Sequence, residues 1–135
     1  MKKGYFANIE ERTLENNDFR RVLYTGPQMQ LVVMCLQPGD EIGTEVHPDT
    51  DQFFRVEQGK AKLVLDGAEH TLEHDEIAIV PAGAEHNVIN AGDEPLRLYT
   101  LYAPPEHRDG TVHATKKIAD EQHEADHYDG KPTEQ

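Results

Sequence analysis

From about residue 20 to residue 104 the chain is a succession of short apolar or alternating runs broken by turn formers roughly every ten residues. The runs are "RRVLYTG", "MQLVVMCLQ" before "PGD", "QFFRVEQG", "KAKLVLDG", "HTLEHDE", "EIAIVPAG", "HNVINAGDEP" and "LRLYTLYAPP". They are rich in Val, Ile, Leu, Phe and Tyr and too short for helices, and no 3.6-residue period organises them. This punctuation predicts an all-β sandwich or barrel. Hairpin corners are expected at "EQGKAKLVLDG" and "DGAEH", where Gly supplies the positive φ of a tight turn.

The two ends read differently, which sets provisional boundaries at 1–19 for an N-terminal arm, 20–104 for the barrel and 105–135 for a C-terminal tail. Residues 8–18, "NIEERTLENND", form either a short helix or an arm. The tail holds almost no large apolar side chains after Val112 except Ile118 and Tyr128. Good helix formers at 114–126 make it a partly helical arm docked on the barrel, with those two residues as anchors, or else a partly disordered segment.

At 135 residues the chain can bury one core, so a single domain with extended ends is expected. Thirteen Lys and Arg stand against 26 Asp and Glu, a net charge of −13, which disfavours nucleic acid and anionic membranes as partners. One cysteine, Cys35, cannot form an internal disulfide, and its apolar strand makes it a core residue. No apolar leader follows "MKKGYFANIEER" and no run approaches a membrane span, so a cytoplasmic setting is expected.

The chemistry-bearing residues cluster in "EIGTEVHPDTDQFFRVEQG", residues 41–59. Two residues apart on a strand, Glu45 and His47 face one side, and after the turn formers "PDTD" the next run begins with Gln52. A second His, His86, opens a strand after a Pro-Ala-Gly turn in "IVPAGAEHNVIN".

In spacing, Gly39, Glu45, His47, Gln52 and Gly59 follow the first motif of the cupins, G-x5-H-x-H-x4-E-x6-G, while Pro81, Gly83, His86 and Asn90 follow the second, G-x5-P-x-G-x2-H-x3-N, with Asp75 in its first Gly position. The chain resembles a small single-domain cupin over about residues 20–104. The resemblance implies a double-stranded β-helix, a jelly-roll-like barrel whose open end holds one divalent metal. It also implies the ligand positions: Glu45 stands where the family has His, and Gln52 where it has Glu. The formal charge offered to an ion is unchanged by this exchange, which favours a retained site over a decayed one. Two imidazoles with hard oxygen donors suit Mn, Fe, Ni or Zn, and Gln52 either binds the ion or holds a water on it. A similar Glu, His and Gln set occurs in the cupin ureidoglycine aminohydrolases, an analogy of ligand chemistry only.

Strand parity assigns Phe54 and Val56 to the pocket wall with Gln52, and Val88 and Asn90 with His86; Tyr99 and Tyr102 are pocket hydroxyls by position. Glu57, Tyr99, Tyr102 and His107 are the available general acids or bases, with Glu57 pointing outward by parity. His107, His113, His123 and His127 are expected to be solvated tail residues, since "HEADH" lacks both the order and the apolar face of a metalloprotease helix. Three functions remain open: a metal-dependent enzyme acting on a small polar molecule, by isomerase, lyase, hydrolase or dioxygenase chemistry; a small-molecule or sugar-binding module; and a metal-free interaction protein. The resemblance extends to cupins grouped with mannose-6-phosphate isomerases, although the acidic balance disfavours a phosphorylated sugar. Small cupins generally form homodimers, which is the expected assembly here.

Overall fold

The computed structural model describes residues 1–135. In chain order the elements are α1 (Ile9–Glu15), β1 (Arg20–Thr25), β2 (Gln30–Leu36), β3 (Glu45–Val46), β4 (Asp51–Gln58), β5 (Ala61–Leu65), β6 (Ala68–Leu72), β7 (Ile77–Val80), β8 (Glu85–Asn90), β9 (Leu96–Ala103), β10 (Val112–His113) and α2 (Lys116–Gln122). The strands form a six-stranded sheet in the order β10-β1-β2-β9-β4-β7 and a four-stranded sheet in the order β3-β8-β5-β6. All pairings are antiparallel. Every run picked out by its turn formers contributes a strand, and the two sheets face each other as a jelly-roll sandwich.

Alternation explains the core. Val32, Met34 and Leu36 on β2, Phe54 and Val56 on β4, and Leu96, Leu98 and Tyr102 on β9 point from the large sheet toward Leu63, Leu72 and Val88 of the small one. Residues of opposite parity reach the outer face of the large sheet, where α1 packs against β2, β4 and β9. Asn8 caps that helix by accepting from the Glu11 amide at 3.0 Å, and Glu10 and Glu11 in its first turn suit the helix dipole. Cys35 is buried on this outer face, not in the space between the sheets, and burial raises its thiol pKa, so it is an unreactive packing residue.

Two turn positions show why the motif spacing matters. Asp75, in the slot where the motif has Gly, adopts φ +70°, the left-handed conformation that glycine favours. Gly59 sits at φ +91°, and a Cβ there would lie 2.9 Å from the Pro95 carbonyl oxygen and 3.1 Å from Leu96 Cα. Gly59→Ala is therefore expected to destabilise the protein by about 2 kcal/mol or more. Gly67, at φ +85° in open space, isolates the conformational cost alone. Denaturant midpoints of the two alanine variants should separate clearly, and equal losses would show that the close approach at Gly59 is relieved cheaply.

The tail is docked, with anchors other than the expected ones. Thr111, His113 and Ala119 are buried, while Ile118 and Tyr128 are only half-buried. β10 adds to the edge of the large sheet beside β1, and α2 is capped by the Thr115 hydroxyl, which accepts from the Ile118 amide. Near the C-terminus, Glu134 takes hydrogen bonds from Tyr24 Oη at 2.6 Å and from the Lys3 and Gly4 amides. These three donors hold its carboxyl down to about 2, so the clasp between the two ends is charged at all ordinary pH.

Candidate metal centre

One end of the sandwich gathers the polar residues. Glu45 on β3 lies directly opposite His86 on β8, and Gln52 at the start of β4 lies opposite Tyr102 near the end of β9. Antiparallel pairing thus brings residues from four strands to one mouth. His47 follows β3 and is held by its carbonyl, which accepts from the Gly83 amide at 2.9 Å; the Pro-Ala-Gly turn before β8 thereby fastens one imidazole while launching the strand that carries the other.

The geometry is that of a ligand cluster. One donor atom each from Glu45, His47 and His86 lies within 4.8 Å of the other two. Glu45 Oε2 is 2.8 Å from His47 Nε2, and the two imidazole centroids are 5.3 Å apart at 52°. Donor atoms on one ion are separated by ~3 Å, the scale of the Glu45–His47 contact, so these three residues would be the ones to hold a metal here. Gln52 presents Oε1 3.2 Å from His86 Nε2, while its amide nitrogen donates to the Thr100 hydroxyl at 3.0 Å.

Two buried atoms test whether a metal fits. His47 Nε2 is buried with no hydrogen bond: the Glu45 carboxylate is close but off the direction an N–H would take. His86 Nδ1 lies 3.2 Å from the Ala84 carbonyl, and in the tautomer that donates there the Nε2 lone pair faces Gln52 Oε1. A cation shared by these acceptors satisfies both imidazoles. The donor set fits a divalent transition ion.

Electrostatics around the cluster is set by competition between burial and neighbours. Burial raises the Glu45 carboxyl, but the adjacent His47 imidazole, with Arg20 and His86 adding, outweighs it and brings the pKa below its ordinary value. Burial lowers His47, but the Glu45 and Glu106 carboxylates outweigh it and leave its pKa raised. Glu106 Oε2 stands 3.6 Å from His47 Nδ1, on the far side of the ring from Glu45. Burial, then the Arg20 charge, hold His107 well below the usual imidazole range, so this buried ring is neutral. Its Nε2 is 3.3 Å from the Tyr102 hydroxyl, whose own pKa burial pushes up.

Placement of the expected site residues is mixed. Glu45, His47, Gln52 and His86 come together, and Phe54 closes the cluster from below with its ring centroid 6.2 Å from that of His86. Val56 and Val88 lie deeper in the core. Asn90 is at the opposite end of β8, where its amide donates to the Leu36 and Glu94 carbonyls and its oxygen accepts from Gly92; it anchors a loop and lines no pocket here. Tyr99 is three residues from Tyr102 and so falls on the outer face, its ring 6.1 Å from Phe53. Glu57 is on the side away from the cluster, as parity requires, but it is buried there at a register shift between Val56 and Gln58, 3.1 Å from Arg55.

Of the tail histidines, His123 and His127 are exposed, as expected. His107 and His113 are not solvated: they are 6% and 1% exposed. The tail folds back because β10 pairs with β1, which puts His113 opposite Arg20, where Arg20 Nη1 is 3.2 Å from His113 Nδ1 and Asp126 Oδ2 is 2.7 Å from His113 Nε2. His107 is legible only as a candidate acid or base; Arg20, Glu106 and His113 are not legible as site neighbours. The one signal was Arg20 sharing inward parity with Val22 in "RRVLYTG", a charged residue where a core residue belongs.

A two-sheet antiparallel barrel with a His and Glu cluster at its open end defines a sandwich of the cupin type. The Cupin domain model matches residues 32–102, and the chain belongs to that family. It is 45% identical over 123 residues to the uncharacterized protein YrkC of Bacillus subtilis, covering 87% of this chain and 66% of that protein, so it spans just under two thirds of that relative. Among solved structures it is similar to BH2720 of Bacillus halodurans at a TM-score of 0.86 and 42% identity, covering 88% of this chain and 95% of that one. A more distant likeness, 35% over 63 residues, reaches the quercetin 2,3-dioxygenase of Bacillus subtilis, covering 47% of this chain and 19% of that protein.

Proposed function

We propose that the protein is a metal-dependent enzyme acting on a small polar molecule, with one divalent transition ion held by Glu45, His47 and His86 and by the carbonyl oxygen of Gln52. The observation that carries this reading is the cluster itself: one donor atom each from Glu45, His47 and His86 within 4.8 Å of one another, with His47 Nε2 2.8 Å from Glu45 Oε2. Bound there, the ion would supply Lewis acidity toward a carbonyl or hydroxyl oxygen.

The chain's own groups have definable tasks around it. Glu106 behind His47 orients that ring and raises its basicity. Phe54 and the core beneath exclude water from the inner side. Tyr102 keeps its proton and offers an O–H, with neutral His107 beside it as a hydrogen-bond partner. This pair places two polar groups beside the ligands that are not themselves ligands. The likeness to a protein named as a quercetin dioxygenase is compatible with iron or another redox metal; it does not select the reaction.

Elemental analysis of protein purified without a His tag tests the reading. About one Mn, Fe, Ni or Zn per chain is the expected result, and no stoichiometric metal would overturn it in favour of an interaction protein. Iron would direct attention to dioxygen chemistry; Mn or Zn would direct it to isomerisation, elimination or hydrolysis.

The assembly proposed is a homodimer. The edge strand β7 carries Ile77 and Ile79 at 50% and 62% exposure, an apolar edge of the kind that soluble proteins cover. Light scattering should give a dimer mass that Ile79→Asp reduces to the monomer. No helix is long and apolar enough to cross a membrane.

A further inference from the structure

Arg20 is a buried cation without a counter-ion. It is 4% exposed, it points from β1 into the mouth between the sheets, and it lines a cleft of about 300 Å³ together with Phe19, Thr44, Glu45, Lys116 and His123. Its single side-chain hydrogen bond is to His113 Nδ1, and its Nε is buried with no partner at all. A guanidinium cannot shed its proton, so burial leaves it charged, and a buried charge is expected to find an anion.

The carboxylates around the cleft are all engaged elsewhere. Glu45 faces His47 at 2.8 Å, Asp120 takes Lys116 at 2.8 Å, and Asp126 takes His113 at 2.7 Å. Arg20 lies near enough to influence the protonation of Glu45, His47, Tyr102 and His107, so it shares their mouth of the barrel without pairing with any acid in it. A divalent ion at the cluster would draw Glu45 further away from it. The two carboxylates Glu45 and Glu106, set against a divalent ion and this guanidinium, would then leave the mouth about one unit positive.

We infer that Arg20 is the anion-binding residue of the substrate cleft and that the substrate is a small carboxylic acid, its carboxylate on the free edge of the Arg20 guanidinium and a hydroxyl or carbonyl oxygen turned toward Glu45, His47 and His86. This deepens the proposed metal site and rests on it for the second anchoring point. The free Nε and Nη edge of one guanidinium matches one carboxylate in a two-bond fork. A dianionic phosphate would call for more cationic partners than this cleft frees, since Lys116 Nζ is already bonded to the Ile42 carbonyl and Asp120.

The test separates the two readings by starting from the metal-free protein. Titrating sodium propionate into 15N-labelled, metal-stripped protein should shift the Arg20 Nε–H resonance saturably. Arg20→Met should weaken propionate binding roughly tenfold or more, with Arg20→Lys intermediate. The amide spectrum of each variant reports whether it is folded; if Arg20→Met is not, the Arg20→Lys variant and the parent's own Nε–H shift carry the result. Glycolate, which adds a hydroxyl, should bind the metal-loaded protein more tightly than propionate does, and the metal-stripped protein no more tightly. Absence of saturable propionate binding, equal binding to Arg20→Met, or preference for inorganic phosphate would overturn the Arg20 assignment. Saturable propionate binding in a protein that takes up no metal would leave Arg20 as the anion site and remove the metal reading alone.

Discussion

Glu45→Ala/His86→Ala is expected to abolish stoichiometric metal while leaving the sandwich folded. The two residues lie opposite each other on β3 and β8, so the double change removes one oxygen and one nitrogen donor from a single edge of the cluster and leaves His47 and Gln52 facing a gap. Loss of an outer-shell partner alone costs 10- to 100-fold in metal affinity as an order of magnitude, and loss of two direct donors costs more. Because the ion binds the native state only, an excess of about 1,000 times its Kd adds ~4 kcal/mol to the parent's stability. For a chain of this length that is a rise in Tm on the order of 10–20 °C, which the double variant should lack. Scanning fluorimetry with Mn, Fe, Ni and Zn, alongside elemental analysis, reads both effects. Equal melting shifts in parent and variant would place the ion elsewhere.

The same experiment has a pH dependence whose sign follows from the two shifted groups. In the metal-free protein His47 is raised above 6.5, so its contribution is complete below that value and is lost as pH rises through the folded pKa. Glu45 is lowered below 4.5, so its contribution is complete above that value and is lost as pH falls through the folded pKa. The Glu45 and His47 pair therefore stabilises the metal-free protein most between roughly 4.5 and 6.5. A metal competes with the His47 proton, so the melting increment it confers should grow from pH 6 to pH 8 while the stability of the metal-free form declines slightly. An increment that shrinks over that interval would argue against imidazole ligation.

Phe54→Ala is expected to cost about 3–5 kcal/mol, a large share of the ~5–15 kcal/mol that holds a domain together. Its ring is 1% exposed and lies where the core meets the metal cluster, against His86 at 6.2 Å between centroids. Removing it leaves a void that rigid strands on both sheets cannot close, so loss of packing adds to loss of burial. Urea denaturation should show a lower midpoint with an unchanged slope, and the metal increment should fall because His86 loses its packed support. Phe6→Ala, at a position exposed outside the barrel, should stay within about 0.5 kcal/mol. A loss below ~1.5 kcal/mol in Phe54→Ala would mean the two sheets relax onto the cavity.

The barrel and half of its mouth were legible because both rest on short-range rules. Turn formers set strand lengths, period-two alternation chose the inward residues, and Glu45, His47 and Gln52 stay together because one short connection carries the chain from β3 in the small sheet to β4 in the large one. Parity misleads in two ways. Tyr99 and Tyr102, three residues apart, cannot share a face, and Glu57, at the register shift after Val56, is buried on the outward side where parity alone would leave it in solvent. Asn90 carries inward parity but lies too far along β8 to meet His86, so parity chose the face and strand length decided the depth.

The sequence by itself determined the fold class, because strand length and alternation depend on local period, and its resemblance to the cupin motifs placed a carboxylate at position 45 where that family has His and an amide at position 52 where it has Glu. Only the tertiary structure decided what surrounds that frame. The return of the tail as β10 beside β1 buries His113 against Arg20, sets His107 on Tyr102 and brings Glu106 behind His47. The Arg20–His113 and His47–Glu106 contacts join residues about 60 to 90 positions apart, which no residue pattern within either segment encodes. The unpaired Arg20 guanidinium, and with it the inferred class of substrate, is a consequence of that closure.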